Sequence, residues 1–219
     1  MVNRKLDYTK EYKDLYMPKA KPCVIDVPTM SFIMVDGKGN PNAPSGEYQQ
    51  AVEIIYGLSW TIKMSKMGSE KPLDYFEYVM PPLEGLWWLN DDSYADFSNK
   101  DRYCWTSMIR QPEFVTQEVF DWACKEITKK NPNLDISKAR LQIFTEGLCV
   151  QMMHIGPYDN EPESIAQIEA FIKEKNYKNA ISDMQADGTI RRHHEIYLGD
   201  PRKIDPTKRK TVLRHPVKI

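Results

Sequence analysis

Apolar residues recur along this chain with two periods, and the switching between them predicts its elements. Ser31 to Val35, in SFIMVDGKGNP, reads as a strand running into a Gly/Asn/Pro turn that no helix tolerates. From Glu47 to about Lys66 the apolar positions Ala51, Ile55, Leu58 and Ile62 fall three and four apart, the spacing of one buried helix stripe, with Ser45 as its candidate cap. DYFEYVMPPLEGLWW and, after the polar loop LNDDSYADFSNK, RYCWTSMIRQP are rich in aromatic and β-branched residues, so each predicts a strand. Thr116 caps a further helix whose Val119, Phe120, Ala123 and Ile127 face one way until Asn131-Pro132 stops it.

The second half repeats this order. GLCVQMMHIGPYD predicts a strand, Pro162 opens a helix with Ile165, Ile168 and Ile172 on one stripe, and RHHEIYLGDPR and KRKTVLRHPVK supply two more strands. A Gly-containing turn precedes the acidic start of the helix in both halves, at Gly39-Asn40-Pro41 and at Gly156-Pro157. The expected fold class is α+β: duplicated β-α-β-β units with pseudo-twofold symmetry, antiparallel sheets with helices on one face, and a ligand cleft between the halves. One domain over residues 1–219 is expected, with a lead-in at 1–30, a first half at 31–115, a linking helix at 116–132 and a second half at 139–219.

Strand alternation in RHHEIYLGD sorts its residues into two faces, His194, Ile196 and Leu198 on one and His193, Glu195 and Tyr197 on the other. The apolar set is expected to take the helices. Glu195 and Tyr197 then point into the groove, where a carboxylate must be paired, protonated or reserved for a ligand. A plainer reading stays open, with Glu195 bridged to Arg192, Arg202 or Arg214 on a wet sheet face and Trp87, Trp88 and Trp105 as ordinary core. Because Trp87 and Trp88 are adjacent, they project to opposite faces of a strand, and at most one joins the helix-side core.

Composition narrows the partners. Charged residues make up 28% of the chain, yet the net charge is only -1, so no overall field holds a polyanion or an anionic membrane, and neither nucleic acid nor membrane is an expected partner. The N-terminal stretch lacks the apolar core of a signal peptide, and no apolar run approaches the ~20 residues of a spanning helix, so a cytoplasmic protein is expected. Only about 30 residues precede the first strand, too few for a helix-turn-helix reader of DNA. The basic tail Lys208, Arg209, Lys210 and Arg214 reads as a solvated strand edge. Cys23, Cys104, Cys124 and Cys149 lie far apart, reduced and mostly buried, and His154, His193, His194 and His215 lack ligand spacing, so no metal and no cofactor are expected. Gly-x-Ser-x-Gly, His-Glu-x-x-His and phosphate-loop patterns are absent.

HHEIYLGDPR followed by KRKTVLRHPV resembles the closing segment of GyrI-like small-molecule-binding proteins, which share the SOUL/effector-binding fold. PPLEGLWW and MIRQPEFVT resemble a standalone branch similar to cyclopropanoid cyclopropyl hydrolases. The resemblance implies a cleft at the twofold interface with a central glutamate, here matching Glu195; in related effector domains of multidrug-responsive regulators that cleft takes flat aromatic cations. For the hydrolase branch it implies detoxification and drug resistance, through opening the strained ring of DNA-alkylating compounds inside an aromatic cage. Glu195 would then orient or deprotonate a water, Tyr197 or Tyr158 would donate to the carbonyl oxygen, and Trp87, Trp88 and Trp105 would form walls; strand alternation, independently of the resemblance, sets His193 beside Glu195 across a pleat. A passive drug-binding protein and a gyrase-modulator-like regulator stay open as alternatives, as does a monomer against a weak homodimer.

Overall fold

The computed structural model describes residues 5–68, 71–90 and 99–219, and most of the polar loop LNDDSYADFSNK lies outside them. Two short helices, α1 (Tyr8–Glu11) and α2 (Lys13–Tyr16), lead into β1 (Cys23–Lys38). This strand begins well before Ser31, because alternation continues back through CVIDVPTM. Pro28 hides that continuity in the sequence, yet it falls on the one rung missing between Val27↔Gly147 and Thr29↔Thr145, where no N–H is needed. Helix α3 (Glu47–Met64) follows, with Gly46 rather than Ser45 at its N-cap; Ser45 sits in the left-handed region at φ 54° and its N–H donates to Gln49 Oε1 at 3.1 Å.

Next in order are β2 (Leu83–Leu89), β3 (Tyr103–Arg110), α4 (Gln117–Lys130), β4 (Ala139–Ile155), α5 (Glu161–Glu174), β5 (Lys178–Asn179), β6 (His193–Tyr197) and β7 (Lys210–Lys218). DYFEYVMPP stays out of β2 because adjacent Pro81 and Pro82 offer no donors and constrain the residues before them. Thr116 caps α4 as its sequence predicts, accepting from Val119 N–H. Phe120, Ala123 and Ile127 face α3, where Gly57 leaves the space that Ile127 fills.

The ladders between these strands are antiparallel. The order β4-β1-β3-β2-β6-β7, with β4 pairing back to β7, closes six strands into a barrel, and β5 adds a short edge to β7. Aligning the two glycine turns, Gly39 with Gly156, carries Ile109 onto His215 and Gly85 onto Glu195 through the ladders. Those last two residues are also direct partners where β2 meets β6, so Glu195 stands at the pseudo-twofold axis.

Closure into a barrel reverses the expected faces of β6. Leu213, level with Glu195, packs with Val150 and Met152 against Ile165, Ile168 and Ile172 of α5, whereas Val212, level with Ile196, belongs to the main core. Glu195 therefore looks toward the helices, and His194 and Ile196 look into the barrel. A ring of strands has an interior of its own, which claims the apolar face; the groove opens between helices on the outside.

Inside the barrel lies a buried ionic cluster. Glu146 Oε2 takes Arg214 Nη1 at 2.8 Å and His194 Nδ1 at 3.0 Å, while His194 Nε2 reaches Glu84 Oε2 at 3.0 Å. Arg214, expected on a solvated edge, is 1% exposed, because its even position on β7 faces inward; it also donates to the Leu15 carbonyl, tying α2 to the barrel. Burial disfavours a charged His194, but Glu146 and Glu84 lift it to about 9; burial alone would raise Glu146, but His194 and Arg214 hold it down to about 2. His194 then contributes fully below its ordinary 6.5 and loses that contribution as pH rises through about 9, whereas Glu146 contributes fully above 4.5 and loses it as pH falls through about 2. The urea midpoint should peak between pH 4.5 and 6.5 and decline toward pH 9, with the alkaline decline flattened in His194→Gln. A wild-type midpoint that does not fall over that alkaline span would contradict the assignment.

Candidate functional site

Above the helix-facing side of β2 and β6 lies a cavity of about 1610 Å³, beyond the roughly 300–1,000 Å³ of drug-sized pockets, so an extended guest fits. Tyr48, Val52 and Tyr56 of α3 form one wall; Tyr158, in the turn before α5, and Glu161 and Pro162, at the start of α5, form the other. Glu195, Tyr197, His193 and Trp87 line its floor, and Trp88 borders it with the Arg192 guanidinium 4.5 Å over its ring.

The floor is a directed chain of hydrogen bonds. Trp87 Nε1–H donates to Tyr197 Oη at 2.9 Å, and Tyr197 O–H in turn donates to Glu195 Oε2 at 2.7 Å. The other carboxylate oxygen, Oε1, lies 3.1 Å from His193 Nε2. Glu195 is thus held by a phenol and an imidazole. Arg192 stacks on Trp88, Arg202 pairs with Asp200, and Arg214 lies inside the barrel. Burial, reinforced by the charge of Glu195, pushes the Tyr197 and Tyr48 phenols far up, so both keep their protons. Gly85 makes the chain sterically feasible: a Cβ there would sit 2.6 Å from Trp87 Nε1 and 3.3 Å from Tyr197 Oη.

Behind His193 the His215 ring lies edge-on at 4.9 Å, and His215 Nδ1 approaches Glu169 Oε1 at 2.8 Å. Burial pushes His215 down to about 4, so this ring is neutral at physiological pH. Tyr158 meets Tyr197 edge-on at 5.9 Å across the cavity.

Trp105 is not part of this wall. It is fully buried with its ring over Gly37, where a Cβ would come within 2.2 Å, and Tyr48 packs on it edge-on at 5.1 Å. Trp105 shares its face with Trp87 through the β2–β3 pairing, but Tyr48, which also touches Trp87 at 5.5 Å, takes the position facing the guest.

The sequence did not single out Val52 and Tyr56 of the α3 wall, nor two residues that bear directly on the floor. Tyr48 and Glu161 lie in the first turns of the duplicated helices, and the duplication was the signal available, since it brings both helix starts over one floor. Glu161 is 5% exposed, and its Oε1 has no hydrogen-bond partner among the described residues. Burial, and then the charge of Glu195, raise its carboxyl well above the ordinary range. Among the described residues no cluster of His, Cys, Asp and Glu could hold a metal ion, and no helix is long and apolar enough to cross a membrane. Cys149 is buried, the other three cysteines are half-buried, and all are free thiols.

An antiparallel barrel that carries a deep aromatic cleft with a paired carboxylate on its floor is the build of a small-molecule-binding protein. The chain belongs to the GyrI-like family: residues 20–218 match the GyrI-like small molecule binding domain. It is similar to an uncharacterized conserved protein from Listeria innocua, with 48% identity and a TM-score of 0.89, covering 98% of this chain and 100% of that one. A hydrolase from Listeria innocua is 47% identical, with a TM-score of 0.85 and the same coverage. The EcmrR C-terminal domain, at 11% identity and a TM-score of 0.53 over 90% of this chain and 97% of its own, shares the fold. No curated protein matches.

Proposed function

We propose that the cleft binds flat aromatic guests, neutral or singly cationic, and hydrolyses the cyclopropane ring of DNA-alkylating compounds, a detoxifying activity that confers drug resistance. The observation that carries this reading is the Glu195 carboxylate, held between Tyr197 and His193 at the bottom of an aromatic cavity. A hydrolase of 47% identity over nearly the whole chain supports it.

The chemistry asks little of the protein. A cyclopropane conjugated to a dienone becomes aromatic on opening, so the site need only hold the guest flat, position a water and stabilise charge on the carbonyl oxygen. Tyr48, Trp87, Trp88 and Tyr158 supply faces for the guest. Glu195 takes a proton from the attacking water, with His193 and Tyr197 fixing its orientation. Because Tyr197 O–H is committed to Glu195, the donor to the guest must come from the opposite wall, where Tyr158 and Glu161 stand.

The test is to incubate the protein with a cyclopropane-bearing alkylator and follow the mass of the small molecule. Hydrolysis predicts the gain of one water over many turnovers per protein. Quenched tryptophan fluorescence with unchanged guest mass would leave a passive drug-binding protein in its place.

A further inference from the structure

Glu161 is a buried carboxyl whose Oε1 finds no hydrogen-bond partner among the described residues. It opens α5 and lines the same cavity as Glu195. Of the groups that bear on it, Glu195 on β6 and Asp159 in the preceding turn oppose a negative charge, while Lys100 and the Thr211 hydroxyl favour one. Lys100 also pairs with Asp159 at 3.4 Å. The phenols of Tyr158 and Tyr197 are also close enough to feel Glu161. Two negative charges facing one cleft repel each other, and Glu195 already accepts from Tyr197 O–H and lies 3.1 Å from His193 Nε2. Glu161 is then the member left to carry the proton, with Oε1 unpartnered among the described residues.

We propose that Glu161 is the acid of this cleft, donating its carboxyl O–H to a carbonyl oxygen of the guest and surrendering that proton as the guest's ring opens. This deepens the hydrolytic reading and rests on the cleft taking flat aromatic guests. In the step, the oxygen of water bonds to a cyclopropane carbon and one ring C–C bond breaks. The electron pair of that bond moves through the conjugated system to the carbonyl oxygen, which takes the proton of Glu161 and becomes a phenol. Glu195 accepts the proton lost by the water, and exchange with solvent after product release restores both carboxyls. The sum is guest plus one water, with no oxidant or reductant. The specificity that follows is for a flat conjugated ketone placed with its oxygen toward the start of α5.

Three measurements test it. At neutral pH, the infrared difference spectrum of wild type minus Glu161→Gln should contain the carbonyl stretch of a protonated acid; its absence would overturn the proposal. N-methylacridone, flat and neutral with one carbonyl, should bind Glu161→Gln within about threefold of wild type, since the amide still donates, and should bind Glu161→Leu about tenfold more weakly. N-methylacridinium, of the same outline without the carbonyl, should bind both variants at least as well as wild type, which shows that the cleft is intact. Equal acridone affinity in wild type and Glu161→Leu would overturn the donor role. With a cyclopropane-bearing alkylator, Glu161→Gln should retain KM, lose kcat by about a hundredfold, and lose the alkaline fall of the wild-type rate. A wild type that binds the alkylator without turning it over would retire the hydrolytic reading and the proton-transfer half of this proposal, while the spectrum and the acridone affinities still decide whether Glu161 is the donor.

Discussion

Trp105→Ala should lower the stability of the protein by about 3–5 kcal/mol while leaving its affinity for N-methylacridinium within about threefold of wild type. The first half of that expectation comes from packing. The indole is fully buried, lies against the backbone of Gly37 and under Tyr48, and belongs to the main core. Removing it opens a cavity that the β-sheet backbone on one side and α3 on the other cannot collapse to fill. The second half comes from Tyr48, whose ring stands between Trp105 and the guest. Urea denaturation and a fluorescence titration at a temperature where the variant stays folded separate the two effects. A variant with near wild-type stability and a large loss of affinity would return Trp105 to the cleft wall.

That reversal shows where sequence reasoning reaches its end in this protein. The β-α-β-β order, the α3 and α5 stripes and the cap at Thr116 are local properties, set by residues a few positions apart, and the structure carries them. Strand alternation likewise put Glu195, Tyr197 and His193 on one face, and they share one floor. What alternation cannot say is which face meets which neighbour. That depends on β4 pairing back to β7, a closure that links residues some sixty positions apart and gives the strands an interior. Once the barrel has an inside, Ile196 fills it, Arg214 finds Glu146 there, and Glu195 is turned toward the helices. Glu161 was hidden for the same reason. At the start of a helix a glutamate is ordinarily a favourable charge near the helix dipole, and only the tertiary position of α5 over β6 makes it a buried carboxyl facing another.

Glu195→Gln should lower turnover of a cyclopropane-bearing alkylator by about a hundredfold to ten-thousandfold, the range expected on removing a general base. Binding should divide by charge. N-methylacridinium loses its counter-charge and should bind about tenfold more weakly, whereas neutral N-methylacridone should stay within about threefold of wild type. The amide keeps the volume of the acid, and its oxygen can still accept from Tyr197, so the Trp87–Tyr197 chain survives and the fold should lose little. Its nitrogen then meets His193 Nε2, which accommodates it by presenting its lone pair, because an imidazole can carry its proton on either nitrogen. Rate and affinity therefore report on different properties of one side chain: the rate on its basicity, and the preference for a cation on its charge. Unchanged turnover together with unchanged discrimination between the two acridines would remove Glu195 from the centre of the site. Loss of the cation preference in a wild-type background that never turns over would instead leave Glu195 as the recognition element of a binding protein. In that case a Glu161 whose carboxyl is raised well above the ordinary range predicts that the cleft prefers singly charged cations to doubly charged ones, which a titration with a dication of the same outline checks.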